Sequence, residues 1–143
     1  MRRLLGLFFL TSLPLLLAQQ RCKGLIPTCR DAYLGGLNWD GRYWRAELYG
    51  AETTEIYYTF FRGLRYRLIP CGRSSTQSSP HLRIYNANRV LLLDTRTQGE
   101  KPFWDLELSN TQLLIIEVYY PSGHGCVALL IGHGPSEVAQ AQE

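Results

Sequence analysis

Catalytic signatures are missing from this chain. It has no Gly-x-Ser-x-Gly turn to present a serine nucleophile, no His-Glu-x-x-His pair for zinc and no glycine-rich loop to cradle phosphate, so those chemistries lack their scaffold. Cys-x-x-Cys is absent too. His81, His124 and His133 show no ligand spacing beyond His124-Gly125-Cys126, which argues against a metal site, and no cofactor is expected. No segment repeats, which excludes a solenoid or propeller, and no Pro-, Gly- or Ser-rich linker divides the chain into two domains. Only Arg73 to Pro80 reads as a low-complexity loop.

Charge of one sign is also scarce. The chain carries 15 Lys plus Arg against 12 Asp plus Glu, and two of the basic residues, Arg2 and Arg3, belong to the N-terminal segment discussed next. Without that segment the balance falls to about +1. A nucleic-acid binder should keep a basic stripe, yet the one dense cluster is Arg62, Arg65 and Arg67 around Gly63, where a hairpin turn is expected. Nucleic acid is therefore not an expected partner.

The first eighteen residues are the most informative part of what is present. Arg2 and Arg3 precede an apolar run from Leu4 to Leu17, closed by Ala18, which is the pattern of a secretory signal peptide. A run of this length is short for a permanent transmembrane helix. Cleavage after Ala18 is expected, with a secreted or periplasmic mature form that has no membrane span. The segments expected are a signal peptide over 1–18, one domain over 19–133 and a flexible C-terminal tail over 134–143. A mature chain of roughly 125 residues has room for one core and no second domain.

Four cysteines, Cys22, Cys29, Cys71 and Cys126, in an exported chain imply two disulfides. Three pairings are possible, and the one favoured here joins Cys22 to Cys29 and Cys71 to Cys126. The longer bridge would contribute roughly 4 kcal/mol and the shorter about 2.5 kcal/mol.

Apolar spacing in the mature chain has a period of two. Trp44, Ala46 and Leu48 alternate with Arg45 and Glu47, and comparable segments follow at Glu55 to Phe61, Tyr66 to Cys71, His81 to Asn86, Val90 to Thr95, Phe103 to Leu108, Gln112 to Tyr120 and Gly125 to Ile131. Turn residues fill each gap. About eight evenly spaced strands predict an all-β, antiparallel, jelly-roll-like β-sandwich stapled by disulfides. The unbroken apolar runs Leu113 to Val118 and Val127 to Ile131 read as central strands, and Tyr43 to Tyr49 as nearer an edge. Pro70 belongs at a strand end or bulge. A short helical turn fits only around Thr28 to Gly35.

The order Phe61-Arg62-Gly63-Leu64-Arg65-Tyr66, then Leu82-Arg83-Ile84-Tyr85-Asn86, then Leu113 to Val118 and Gly125 to Leu129, resembles the bacterial prepeptidase C-terminal domain family. That resemblance implies a jelly-roll-like sandwich of the kind attached to secreted enzymes. Asn86 stands where that family usually has Asp, and Cys126-Val127 where Tyr is typical. The Cys71 and Cys126 pair with the closing Gly-Cys-Val-Ala-Leu-Leu-Ile-Gly segment is also similar to small exported proteins of Bacteroidetes-like bacteria, which implies an envelope or secreted location.

Catalysis needs a nucleophile, a base and an oxyanion donor in one pocket. Ser122, His124 and Cys126 are close in sequence but sit at alternate positions of a turn, where a relay rarely forms. Glu107 and Glu117 could point outward from neighbouring strands, yet cross-strand pairing with Arg is the commoner arrangement. No enzyme is expected. The aromatic doublets Tyr57-Tyr58 and Tyr119-Tyr120 place one ring on each face of a regular strand, so Tyr57, Phe61 and Tyr119 are the candidate binding residues. A covering strand or loop is the competing account of those rings. The expected role is a noncatalytic binding or accessory module of the cell envelope, monomeric, recognising protein or glycan. The alternative is a structural or inhibitory subunit of an envelope or secreted-protease assembly.

Overall fold

A computed structural model describes residues 24–137. The expected leader, the cleavage site at Ala18, Cys22 and residues 138–143 lie outside the described residues. Helix α1 (Leu25–Tyr33) is followed by β1 (Tyr43–Leu48), β2 (Thr53–Phe60), β3 (Leu64–Gly72), β4 (His81–Asn86), β5 (Leu91–Asp94), β6 (Trp104–Glu107), β7 (Gln112–Tyr119) and β8 (Gly125–Pro135). Each strand coincides with one of the eight period-two segments.

All pairings are antiparallel and form two sheets, β1-β8-β3-β6 and β2-β7-β4-β5. Apart from β4 and β5, which are neighbours in one sheet, successive strands cross between the layers in the order of a jelly roll, two Greek keys folded over one core. β7 and β8 are central and β1 is an edge, as the apolar patterns predict.

The inward-facing residues of both sheets meet in one core that includes Leu48, Ile56, Phe60, Leu68, Leu82, Ile84, Leu114, Ile116 and Leu129. Aromatic rings interlock within it. Phe60 meets Tyr66 edge-on at 4.8 Å between centroids, and Trp44 meets Tyr58 at 5.8 Å. The Tyr66 hydroxyl accepts the Phe61 N–H at 2.9 Å, which satisfies its one polar atom at the core margin. Trp104 packs against the same core.

α1 lies over the outer face of the first sheet and closes a second cluster of Cys29, Ile69, Cys71, Ala128 and Leu130. The disulfides differ from those favoured on sequence. Cys29 bonds Cys71, with Cα atoms 6.1 Å apart and a sequence separation of 42, so neither Cys22–Cys29 nor Cys71–Cys126 forms. Cys126 is disulfide-bonded as well, to a partner outside the described residues. Cys71 pairs in register with Ala128 and stands only diagonal to Cys126. The helix delivers Cys29 directly above it.

Two further expectations are corrected. Pro70 lies inside β3, opposite Leu129, beyond the point where β6 stops pairing at Leu68. A residue without an N–H is tolerated where the flank it faces offers no strand to bond. Gly134 and Pro135, assigned to the loose tail, belong to β8, where Gly134 pairs with Arg65. Gly132 and Gly134 of this end of β8 lie under leucine side chains. A Cβ at Gly132 would stand 2.6 Å from Leu34 Cδ1 and one at Gly134 2.8 Å from Leu37 Cδ2, where the chain after α1 crosses β8.

Candidate binding face

The outer faces of the two sheets are treated differently. α1 covers the first, whereas the second meets only a short 3-10 turn, Thr95–Gln98, beside β4 among the described residues. Strand register organises that open face into rows running across β2, β7, β4 and β5. One row is Tyr57, Ile115, Tyr85 and Leu91. The adjacent row is Glu55, Glu117, Arg83 and Asp94. Beyond it come Thr53, Tyr119 and His81.

In the charged row every group is paired. Arg83 Nη1 donates to Glu117 Oε1 at 2.6 Å and its Nε to Asp94 Oδ2 at 3.4 Å, while its guanidinium lies 3.9 Å from the centre of the Tyr119 ring. The Tyr119 hydroxyl donates to Asp94 Oδ1 at 2.9 Å. Burial, and then the Asp94 carboxylate, push the Tyr119 phenol up to about 12. Burial opposes ionisation of Asp94, but the Tyr119 hydroxyl, the Arg96 N–H and Arg83 outweigh it and hold the carboxyl below its ordinary range.

The apolar row is pinned from one side by Arg89. Asn86 Oδ1 accepts the N–H groups of Asn88 and Val90, both at 3.0 Å, and this tight turn sets Arg89 in the left-handed region at φ 59°. From the turn after β4, Arg89 reaches across β7 to bond both Glu55 oxygens, at 2.8 and 3.0 Å, and the Tyr57 hydroxyl at 2.9 Å. Hydrogen bonding from Arg89 lowers the Glu55 pKa.

Of the three candidate rings, Tyr57 is 56% exposed and Phe61 55%, whereas Tyr119 is 5% exposed. Tyr119 faces outward but is roofed by Arg83. Tyr119 pairs with Thr53, four positions from Tyr57, and Phe61 lies four positions from Tyr57 the other way, about 13 Å in each direction. They do not form one platform. The other exposed apolar side chains of this sheet are aliphatic: Leu113 on β7, next to the strand of Tyr57, and the consecutive, half-exposed Val90, Leu91 and Leu92 at the opposite edge. Three exposed apolar residues in a row are an expensive surface without a use. The asparagine-rich turn before an apolar triplet is the sequence signal that marks them.

The other candidates separate. Glu107 lies in the first sheet and accepts from Ser136 and from the Glu137 N–H, while Glu117 lies in the second and pairs with Arg83, so they are not on neighbouring strands. Ser122 bonds Thr76, and His124 Nδ1 meets Ser75 Oγ at 3.1 Å. That serine also accepts the His124 N–H, and its own N–H donates to the His124 carbonyl, so the pair clamps two loops together. No carboxylate bonds His124 among the described residues. No group of three or more His, Cys, Asp or Glu that could hold a metal occurs among the described residues. A groove of about 1060 Å³ lies elsewhere, between α1, the serine loop and Lys101, and it borders Cys126, whose disulfide leads out of the described residues.

No family model, no curated protein and no solved structure matches the chain. The likeness to the prepeptidase C-terminal domain therefore rests on the short motifs quoted above.

Proposed function

We propose that this protein is an exported, noncatalytic recognition module that holds a protein partner on the outer face of its second sheet. The observation that carries this reading is the half-exposed Val90-Leu91-Leu92 run at one edge of this sheet, with Leu113 and Tyr57 exposed toward the other. Exposed aliphatic side chains on one sheet with an exposed aromatic residue and an arginine are the composition of a protein contact. A glycan site would use free carboxylates and amides around stacked rings, and here Glu55, Glu117 and Asp94 already serve Arg89 and Arg83. Export is supported by the N-terminal pattern Arg2 to Ala18 and by the Cys29–Cys71 bridge. A structural or inhibitory subunit is the version of this reading in which the partner is an enzyme or assembly.

The test is a photo-crosslinking amino acid placed at Leu91, and separately at the remote Arg45, in the cells that make the protein. The expected result is one adduct with a different protein from Leu91 and none from Arg45. Absence of that adduct, together with a glycan-array hit lost in Tyr57→Ala, would replace the protein reading with a sugar one. Neither an adduct nor a hit would end both.

A further inference from the structure

We propose that β2 is a self-pairing edge, joining two copies of this chain about a two-fold axis into one continuous sheet. The proposal goes beyond the recognition role and does not depend on it.

The four sheet edges are unequally protected. β1 carries Arg45 and Glu47 along its solvent side, β6 has four residues with Asp105 and Glu107, and β5 has four residues with a register shift against β4. Short strands, bulges and charges are the usual devices against edge pairing. β2 is neither short nor bulged, and its one charge, Glu55, is already paired with Arg89. Its eight residues, Thr-Thr-Glu-Ile-Tyr-Tyr-Thr-Phe, include no Pro, Gly or Lys and pair with β7 from Thr53↔Tyr119 to Phe60↔Gln112 without a shift. Among the described residues its backbone bonds to no element other than β7, so every second N–H and C=O along it points to an open flank.

A strand meeting itself about a two-fold axis pairs antiparallel, which such an edge satisfies without new sequence. Outward residues must face outward residues across the junction. Two central registers do this: one sets Ile56 opposite its own copy and Glu55 opposite Tyr57, the other sets Tyr57 opposite its own copy and Glu55 opposite Thr59. In both, the single charged side chain of β2 avoids its copy, and Arg89 already neutralises it. The junction would also bring the two exposed Tyr57 rings together.

Sedimentation velocity of the purified protein from about 1 µM to about 1 mM tests this. The expected result is a mass that rises from one chain to two with concentration. Tyr57→Glu places like charges together in both registers and should hold the mass at one chain, while Arg45→Glu on the edge of the first sheet should leave the wild-type profile. Because Tyr57 is exposed, an unchanged circular dichroism spectrum will confirm that the variant is folded. As an independent readout, alternate β2 amides should gain protection from hydrogen exchange at high concentration. A single-chain mass throughout the range, or a dimer that persists in Tyr57→Glu, or one lost in Leu91→Glu but not in Tyr57→Glu, would overturn the proposal.

Discussion

Arg83 and Arg89 organise the open face: Arg83 ties β4 to Glu117 of β7 and Asp94 of β5, and Arg89 reaches from the turn after β4 to Glu55 and Tyr57 of β2. A third residue at the same face, His81, gives it a pH dependence. His81 Nδ1 lies 3.2 Å from Thr95 Oγ1, which accepts the Leu82 N–H at 2.9 Å. A hydroxyl that accepts one bond still has a proton to give, which a neutral imidazole can accept at Nδ1. Burial lowers the His81 pKa from its ordinary value, with Glu100 and Asp94 opposing and Arg96 assisting. A depressed histidine contributes stability that is present above the unfolded pKa, about 6.5, and is lost as pH falls below it. The thermal midpoint should therefore decline as pH drops from about 7 to about 5. His81→Asn should flatten that slope, and an unchanged slope would refute the assignment.

α1 is held less by helix propensity than by what it covers. Nine residues are too few for a stable isolated helix in water, and Leu25, Ile26, Tyr33 and Leu34 pack on the cluster around Ile69 and Leu130. Arg67 adds a clasp: it forms two bonds to Asp105, at 2.7 and 2.8 Å, donates to the Tyr33 carbonyl at 3.1 Å and lies 3.8 Å from the centre of the Phe103 ring. The Cys29–Cys71 bridge closes a separation of 42 residues. Replacing both cysteines by alanine should lower unfolding free energy by about 4 kcal/mol in urea titrations and raise binding of a hydrophobic dye as Ile69 and Leu130 lose their cover. A loss below about 1 kcal/mol would mean that packing alone keeps the helix in place.

The two sheets share one core, and their strands come from opposite ends of the chain. Tyr43 pairs with Leu130 and Thr53 with Tyr119, so neither sheet is complete until the last strands arrive. Such a topology should unfold as one cooperative unit. Far-ultraviolet circular dichroism, reporting strands, and tryptophan fluorescence, reporting Trp44 and Trp104 against the core and Trp39 beside the α1 cluster, should give superimposable thermal transitions. Separated transitions would show that the sheets hold independently.

The strands were legible because each writes its own burial into a local pattern. Alternation marks β1 and β2, and unbroken apolar runs mark the central β7 and β8, since a side chain's exposure there depends mainly on its strand's own pleat. Tyr57 and Phe61 were readable as outward for the same reason. Pairings between distant residues left no such trace. Cys29 meets Cys71 only because α1 docks on β3, and Tyr119 is hidden only because Arg83 of the neighbouring strand lies over its ring. Arg89 likewise gains its role from a turn that aims it across β7 at Glu55. Period and composition thus determined that this chain is a two-layered β domain, while partner choice among sulfurs, charges and rings was decided by which strands the folded topology set side by side.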